Sequence, residues 1–594
     1  MKNIKKISFL LSKKEKKNFF YVFILILITA IFDTLGMVSI LPFVAIISNL
    51  SLIETNSILS YLYEFSSKFG VSNVDQFILL LGSSFFILFI SSLLIRAFAN
   101  YSQINFALML EYSISKRLIE KYLNQPFIWF LNRNSSDLGK NILSEVNIVI
   151  NNSIIPLINL ISQGMVVIAI LLMLFIVDKF LTIIVGTVLI LSYLLIFYFM
   201  RNILHKLGKE RTLANQGRFK IISEALNSIK ETKFIGLEIN YVNSFSKPAK
   251  IFAKNTSIAT AIATIPRSFI EGITFGGMIL LILNLMSSGN NFANIVPIIS
   301  LYAFAGYRLM PALQQIYSGI SQLKFSGVAL DKLYQDIINL EKTIKKPSDK
   351  VNLKFNDSII LKQLSFYYPN NTKPTIKEIN LSINNKTKVG IVGKTGSGKT
   401  TIIDIILGLL DPKSGSLLVD GKIINHNNKR AWQNNIGYVP QQIYLKDSSI
   451  KSNIAFGINE ENIDMNKIID VSKIADLHDF VVDNLPQRYD TIVGERGIRL
   501  SGGQRQRIGI ARALYNNPNL IIFDEATNSL DNMTENNVMN AIDKLNKKST
   551  IIIVAHRLST VKNCDNIFFI ENGIIKKSGT YNKIFKSNED LKKN

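Results

Sequence analysis

Two stretches, Gly393-Lys-Thr-Gly-Ser-Gly-Lys399-Thr400 and Leu500-Ser-Gly-Gly-Gln504, decide how this chain is read. The first fits G-x-x-x-x-G-K-[ST] at every fixed position. The apolar run Lys388-Val-Gly-Ile-Val392 precedes it and Thr401-Ile-Ile-Asp-Ile-Ile follows, which predicts strand, loop and helix in that order. Glycines let backbone N–H groups approach phosphate oxygens, and the helix N-terminus adds its positive end. Lys399 would reach the β- and γ-phosphates, and the Thr400 hydroxyl would face Mg²⁺.

Further on, Asn519-Leu-Ile-Ile-Phe523 reads as a buried strand ending in Asp524-Glu525. An acid at such a strand end can hold Mg²⁺, and the next acid can act as base toward the attacking water. Ile551-Ile-Ile-Val-Ala-His556 is a second apolar strand with a polar end, and His556 is a candidate γ-phosphate sensor. Taken singly, each of these has a bland alternative: a glycine turn, a solvated acidic turn, a structural histidine. Together they point to an ATPase.

In this combination residues 350–594 resemble the nucleotide-binding domain of an ABC transporter. The resemblance implies an α/β P-loop fold that uses ATP and Mg²⁺. It implies nucleotide contacts from Tyr368, Gly393, Lys394, Thr395, Gly396, Ser397, Gly398, Lys399, Thr400 and Thr401. Across a dimer it implies contacts from Ser501, Gly502, Gly503, Gln504 and Asp531. Catalytic roles fall to Glu525, His556 and Gln441, and Mg²⁺ would be held by Thr400, Gln441 and Asp524. The signature Leu500–Gln504 caps the nucleotide of the opposite domain in that family. One copy per chain therefore implies a homodimer with two composite sites.

Composition bounds the remainder. The 594 residues carry a net charge of +24 with 48% apolar content. A basic and strongly apolar chain points to a membrane protein with basic cytoplasmic loops, rather than to a nucleic-acid binder. Cys564 is the sole cysteine, so no intrachain disulfide can form, and it is expected to pack as a small apolar residue. The abundance of Ile, Asn and Lys suggests a bacterial source.

Charge-poor runs of about 20 residues mark spanning helices. Six are expected, at about 19–48, 77–99, 153–177, 181–201, 260–286 and 293–314. Seven lysines in the first 17 residues place the N-terminus in the cytoplasm, with no cleavage site for a signal peptide. Six spans return the chain to the cytoplasm, as an ATPase requires. The organisation expected is a helical membrane domain at 1–325, a linker at 326–349 and the ATPase domain at 350–594, in the bacterial inner membrane. Residues 124–130 and 227–238 are similar to the two coupling-helix regions of ABC exporters.

Ionisable residues within spans are costly and mark pathways. Asp33, Arg96, Arg267, Glu271 and Arg308 are the candidates. Snorkelling of Arg96, and a structural pair between Arg267 and Glu271, are the plain alternatives. The pattern also resembles PglK-type lipid-linked oligosaccharide flippases, through Asp33-Thr34, Leu94-Ile-Arg96-Ala, Pro266-Arg267 with Glu271, and Tyr307-Arg308-Leu-Met-Pro311. Residues 55–69 resemble that family's short external helix. Gln315 departs from the pattern, where a further basic residue is expected. The resemblance implies ATP-driven flipping of a polyprenyl-pyrophosphate glycan. Export of a drug, peptide or other lipid is the alternative, and an ATP-gated membrane regulator is an alternative of another class.

Overall fold

The structure, a computed structural model, describes the chain outside residues 1, 40–42, 44–45, 48–49, 51–52, 54–56, 69–70, 72, 178, 269–270, 273–275, 277–278, 280–291, 342–352, 354, 370, 527–534, 536–537, 541–547, 556–559 and 587–594. It divides into two compact units. The first holds residues 1–125 and 132–344, and the second holds 126–131 and 345–594.

The first unit is helical. Four helices are long and apolar enough to cross a membrane among the described residues: Lys13–Gly36, Val74–Leu123, Ser135–Ile176 and Thr182–Asn227. The expectation of six spans is thus met for four. The fifth expected span falls largely on residues outside the description. The sixth coincides with the helix Phe292–Phe325.

Helix lengths also differ from the expected ones. Val74–Leu123 runs for 50 residues, about 75 Å at 1.5 Å per residue. The hydrocarbon core of a bilayer is only about 30 Å thick. Hydropathy marks only the lipid-facing part of such a helix, so the expected span ends at residue 99 and the polar extension lies beyond it. The same holds for Lys179–Asn227. Lipid-facing character shows on Leu79, Phe86, Ile87, Leu94 and Phe98, all apolar and exposed.

Where these helices leave the apolar zone their packing becomes polar. Glu145 and Arg211 are both buried and lie 3.7 Å apart, and Asn215 donates to Glu145 Oε1 at 3.0 Å. The Arg211 guanidinium also sits 5.6 Å from the Phe325 ring centre. A buried ion pair needs such additional partners to offset its desolvation. Two π-turns, Asn141–Glu145 and Ile150–Ile154, interrupt this stretch. A short helix, Ile229–Ile235, ends at Gly236, whose φ of +75° suits glycine. It occupies the second expected coupling region.

The second unit is α/β. Its strands are β1 Ser358–Phe366, β2 Ile376–Asn384, β3 Lys388–Gly393, β4 Ser414–Val419, β5 Lys422–Ile423, β6 Ile436–Val439, β7 Leu520–Asp524, β8 Thr550–Ala555, β9 Asn566–Glu571 and β10 Ile574–Gly579. An antiparallel sheet has the order β2-β1-β4-β5. A six-stranded sheet has the order β10-β9-β3-β8-β7-β6, parallel except for the edge strand β10.

Parallel strands covered on both faces read as continuous apolar runs, as β7 and β8 do. Ile521, Phe523, Ile551 and Ile553 enter one core, and Leu520, Ile522, Ile552 and Val554 enter the other. Cys564 is buried in the first of these cores, as a small apolar residue. The short helix Phe127–Leu131, in the first expected coupling region, belongs to this unit, and its Ile128 packs against the second core.

Candidate functional site: a phosphate loop facing two strand-end acids

Strand β3 delivers the loop 393–398 to the start of the helix Lys399–Ile406. Gly396 and Gly398 have φ of +78° and +102°, a region that side chains other than glycine rarely adopt. A Cβ on Gly393 would run into the Ile570 carbonyl oxygen and approach Ser397 Oγ at 2.8 Å. The loop backbone thus packs directly on β9 at Gly393, while a Cβ on Gly396 would meet nothing within 4 Å.

Lys399 Nζ folds onto its own loop, donating to the carbonyls of Gly393 at 2.9 Å and Lys394 at 3.1 Å. Burial lowers its pKa, opposed by the charges of Glu525 and Asp524. Ser397 Oγ is buried with no hydrogen-bond partner among the described residues. An orphaned hydroxyl, an ammonium and glycine backbone around one loop fit the phosphates of a nucleotide.

The two acids close the other side. Asp524 ends β7, is buried, and accepts a hydrogen bond from the Tyr438 hydroxyl at 3.3 Å. Glu525 follows in the left-handed region, with φ of +51°, and accepts from Gln441 Nε2 at 2.7 Å. The structure therefore brings Lys399, Asp524, Glu525 and Gln441 together. Thr400 is exposed at the start of the helix, and the Tyr368 hydroxyl lies 3.1 Å from Thr401 Oγ1.

The signature opens the helix Gly502–Leu514 as a capping box. Ser501 Oγ accepts from Gln504 N–H at 3.2 Å, and Gln504 Oε1 accepts from Ser501 N–H at 2.8 Å. This arrangement satisfies two orphan donors of the helix start. Asp531 and His556 lie outside the described residues.

Two residues behind the acids were missed in the sequence. Tyr438 on β6 carries a hydroxyl whose pKa is raised by burial and by the charges of Asp524 and Asp404. Asp404, on the helix that starts the phosphate site, has its pKa raised to about 6 by burial and by Asp524. Only the aromatic–Val-Pro-Gln spacing around Tyr438 could have flagged it. Nothing flags Asp404.

In the first unit, Asp33, Arg96 and Arg308 come together. Arg96 donates to Asp33 Oδ1 at 2.7 Å, and Arg308 donates to Asp33 Oδ2. Arg267 and Glu271 pair with each other at 2.7 Å on one helix face, exposed and half-buried respectively.

Comparison with known proteins agrees with this geometry. The family profile for the ABC transporter matches residues 376–528, and that for the ABC transporter transmembrane region matches 14–308. A putative multidrug export ATP-binding/permease protein of Staphylococcus aureus is 34% identical over 402 residues, 66% of this chain and 67% of that one. The chain belongs to the ABC transporter family.

A leukotoxin translocation ATP-binding protein of a Pasteurella haemolytica-like species is 31% identical, over 67% of this chain and 56% of its own length. A putative multidrug export ATP-binding/permease protein of Bacillus subtilis is 35% identical over 48% of this chain and 49% of its own length. Among solved structures, a bacterial Atm1-family ABC exporter with ATP bound superposes with a TM-score of 0.79. That match covers 97% of this chain and 98% of the other, at 19% identity, and it shows the exporter fold. The transporter therefore has fused membrane and ATPase domains, binds ATP and couples its hydrolysis to transport.

Proposed function

We propose that the transporter flips a polyprenyl-pyrophosphate-linked oligosaccharide across the bacterial inner membrane. It works as a homodimer with six spans per chain and cytoplasmic ATPase domains, divided at about 1–325, 326–349 and 350–594. The observation that carries the substrate class is the Asp33–Arg96–Arg308 cluster, in which one buried carboxylate faces two partly exposed guanidiniums and leaves a positive charge within spanning helices.

At the ATPase site, Lys399 and the loop from Gly393 to Gly398 bind the phosphates, Tyr368 stacks on the adenine, and Thr400, Gln441 and Asp524 would hold Mg²⁺. Mg²⁺, when bound, neutralises charge that develops on the phosphates. Glu525 takes a proton from the attacking water, and Gln441, already bonded to it, holds its carboxylate in place. Ser501–Gln504 and Asp531 contact the nucleotide of the opposite protomer, and His556 senses the γ-phosphate. Closure of the two ATPase domains on ATP drives the membrane helices through the short helices at 127–131 and 229–235, and hydrolysis resets them.

Export of a drug or peptide is the second reading, supported by relatives named for multidrug export and leukotoxin translocation. ATPase activity in proteoliposomes with each substrate class separates the two. Stimulation by a pyrophosphate-linked glycolipid, lost in Arg308→Ala, supports flipping. Stimulation by apolar drugs alone, unchanged in Arg308→Ala, refutes it.

A further inference from the structure

We propose that Asp33 is a built-in counter-anion, a latch that an anionic substrate opens by competing for the guanidinium donors of Arg96 and Arg308. The proposal rests on the flippase reading and deepens it, because it makes Asp33 the residue that selects for multiply charged headgroups.

The cluster joins three helices, Lys13–Val38, Val74–Leu123 and Phe292–Phe325, through one carboxylate. The Asp33 side chain is only 2% exposed, whereas those of Arg96 and Arg308 are 34% and 22% exposed. The acid therefore lies behind the bases, and the bases face the accessible side. One carboxylate against two guanidiniums leaves a net positive charge in a low-dielectric setting, where charge counts most.

Donor capacity is also left over. A guanidinium offers five N–H donors, and Arg96 Nε is buried without a partner among the described residues. Among the described residues no hydroxyl donates to Asp33. Thr29 and Thr34 donate to the carbonyls of Leu25 and Ala30 on their own helix. An anion that takes the arginines thus removes the hydrogen-bond partners that hold Asp33 and loosens the polar tie between the first helix and the second and sixth, leaving the apolar packing of Ala30 and Phe19 in place.

The same geometry sets selectivity. A neutral substrate can accept from the spare N–H donors but carries no charge with which to displace the carboxylate. A monophosphate carries about −1.5 to −2 and three acceptor oxygens, so it competes with Asp33 but with less charge and fewer oxygens than a pyrophosphate. A pyrophosphate brings more charge and more acceptor oxygens, so it outcompetes the carboxylate.

The test measures binding of farnesyl pyrophosphate and farnesyl monophosphate to the full-length protein in nanodiscs. Asp33→Asn is expected to bind the pyrophosphate about tenfold more tightly or better than the unsubstituted protein, with less discrimination against the monophosphate. Asp33→Glu should bind as the unsubstituted protein does. Equal or weaker pyrophosphate binding by Asp33→Asn overturns the latch, while the flippase reading stands if the pyrophosphate still stimulates ATPase activity. Absence of both binding and stimulation in the unsubstituted protein overturns the flippase reading and the latch with it. A second measurement keeps Asp33 in place. Nitroxides at exposed Leu35 and Leu94, with Cys564 replaced, should change their separation when farnesyl pyrophosphate is added. An unchanged separation overturns the latch even if Asp33→Asn does not fold.

Discussion

Replacing Asp404 by Asn should stabilise the ATPase domain, and the gain should grow with pH. Asp404 is half-buried beside Asp524, and its pKa rises from the ordinary 3.8 to about 6, by burial first and by the neighbouring charge second. An acid with a raised folded pKa is not penalised while it is protonated in both states, below about pH 4. The penalty develops as pH rises toward 6 and is complete above it. A rise from 3.8 to about 6 corresponds to about 3 kcal/mol at full ionisation. Partial exposure and screening bring this to about 2 kcal/mol. For a domain of this size that is about 4–8 °C in Tm.

The assay is thermal unfolding of the full chain in detergent, with Asp404→Asn compared with the parent from pH 5 to pH 8. The carboxylate accepts no described hydrogen bond, so Asn loses no partner. A Tm difference that is flat across this range, or that shrinks as pH rises, would refute the electrostatic account of Asp404.

Other substitutions test the site directly. Glu525→Gln should keep ATP binding, measured with a fluorescent nucleotide, while turnover falls by about 10²-fold or more. Gly393→Ala should abolish nucleotide binding, because its Cβ would meet the Ile570 carbonyl and crowd Ser397; binding at the parent affinity would show that the loop yields. Tyr438→Phe removes the hydroxyl on Asp524 and should raise the Mg²⁺ concentration needed for half-maximal ATPase activity several-fold, with ATP binding in the absence of Mg²⁺ unchanged.

The ATPase unit was readable because its determinants are local. Gly393–Thr400 must follow an apolar strand and open a helix, and Asp524-Glu525 must end one, and β3, β7 and β8 do stand at those places. Partnerships between distant residues were not readable. Asp33 meets Arg96 and Arg308 from 63 and 275 positions away, and Tyr438 meets Asp524 from 86. No periodicity along one helix reports a pairing between three. Helix extent was hidden for a different reason. Hydropathy records contact with lipid, and the continuation of Val74–Leu123 beyond the apolar zone is stabilised instead by helix–helix packing at Leu110, Ile114 and Leu118, which are buried.

The central claim is ATP-driven flipping of an anionic lipid-linked glycan, and translocation of a fluorescent pyrophosphate-linked glycolipid in proteoliposomes tests it most directly. ATP should move the label to the protected leaflet with the unsubstituted protein, and neither Glu525→Gln nor Arg308→Ala should move it. Translocation that proceeds equally well with Arg308→Ala, or without hydrolysis in Glu525→Gln, would contradict the account.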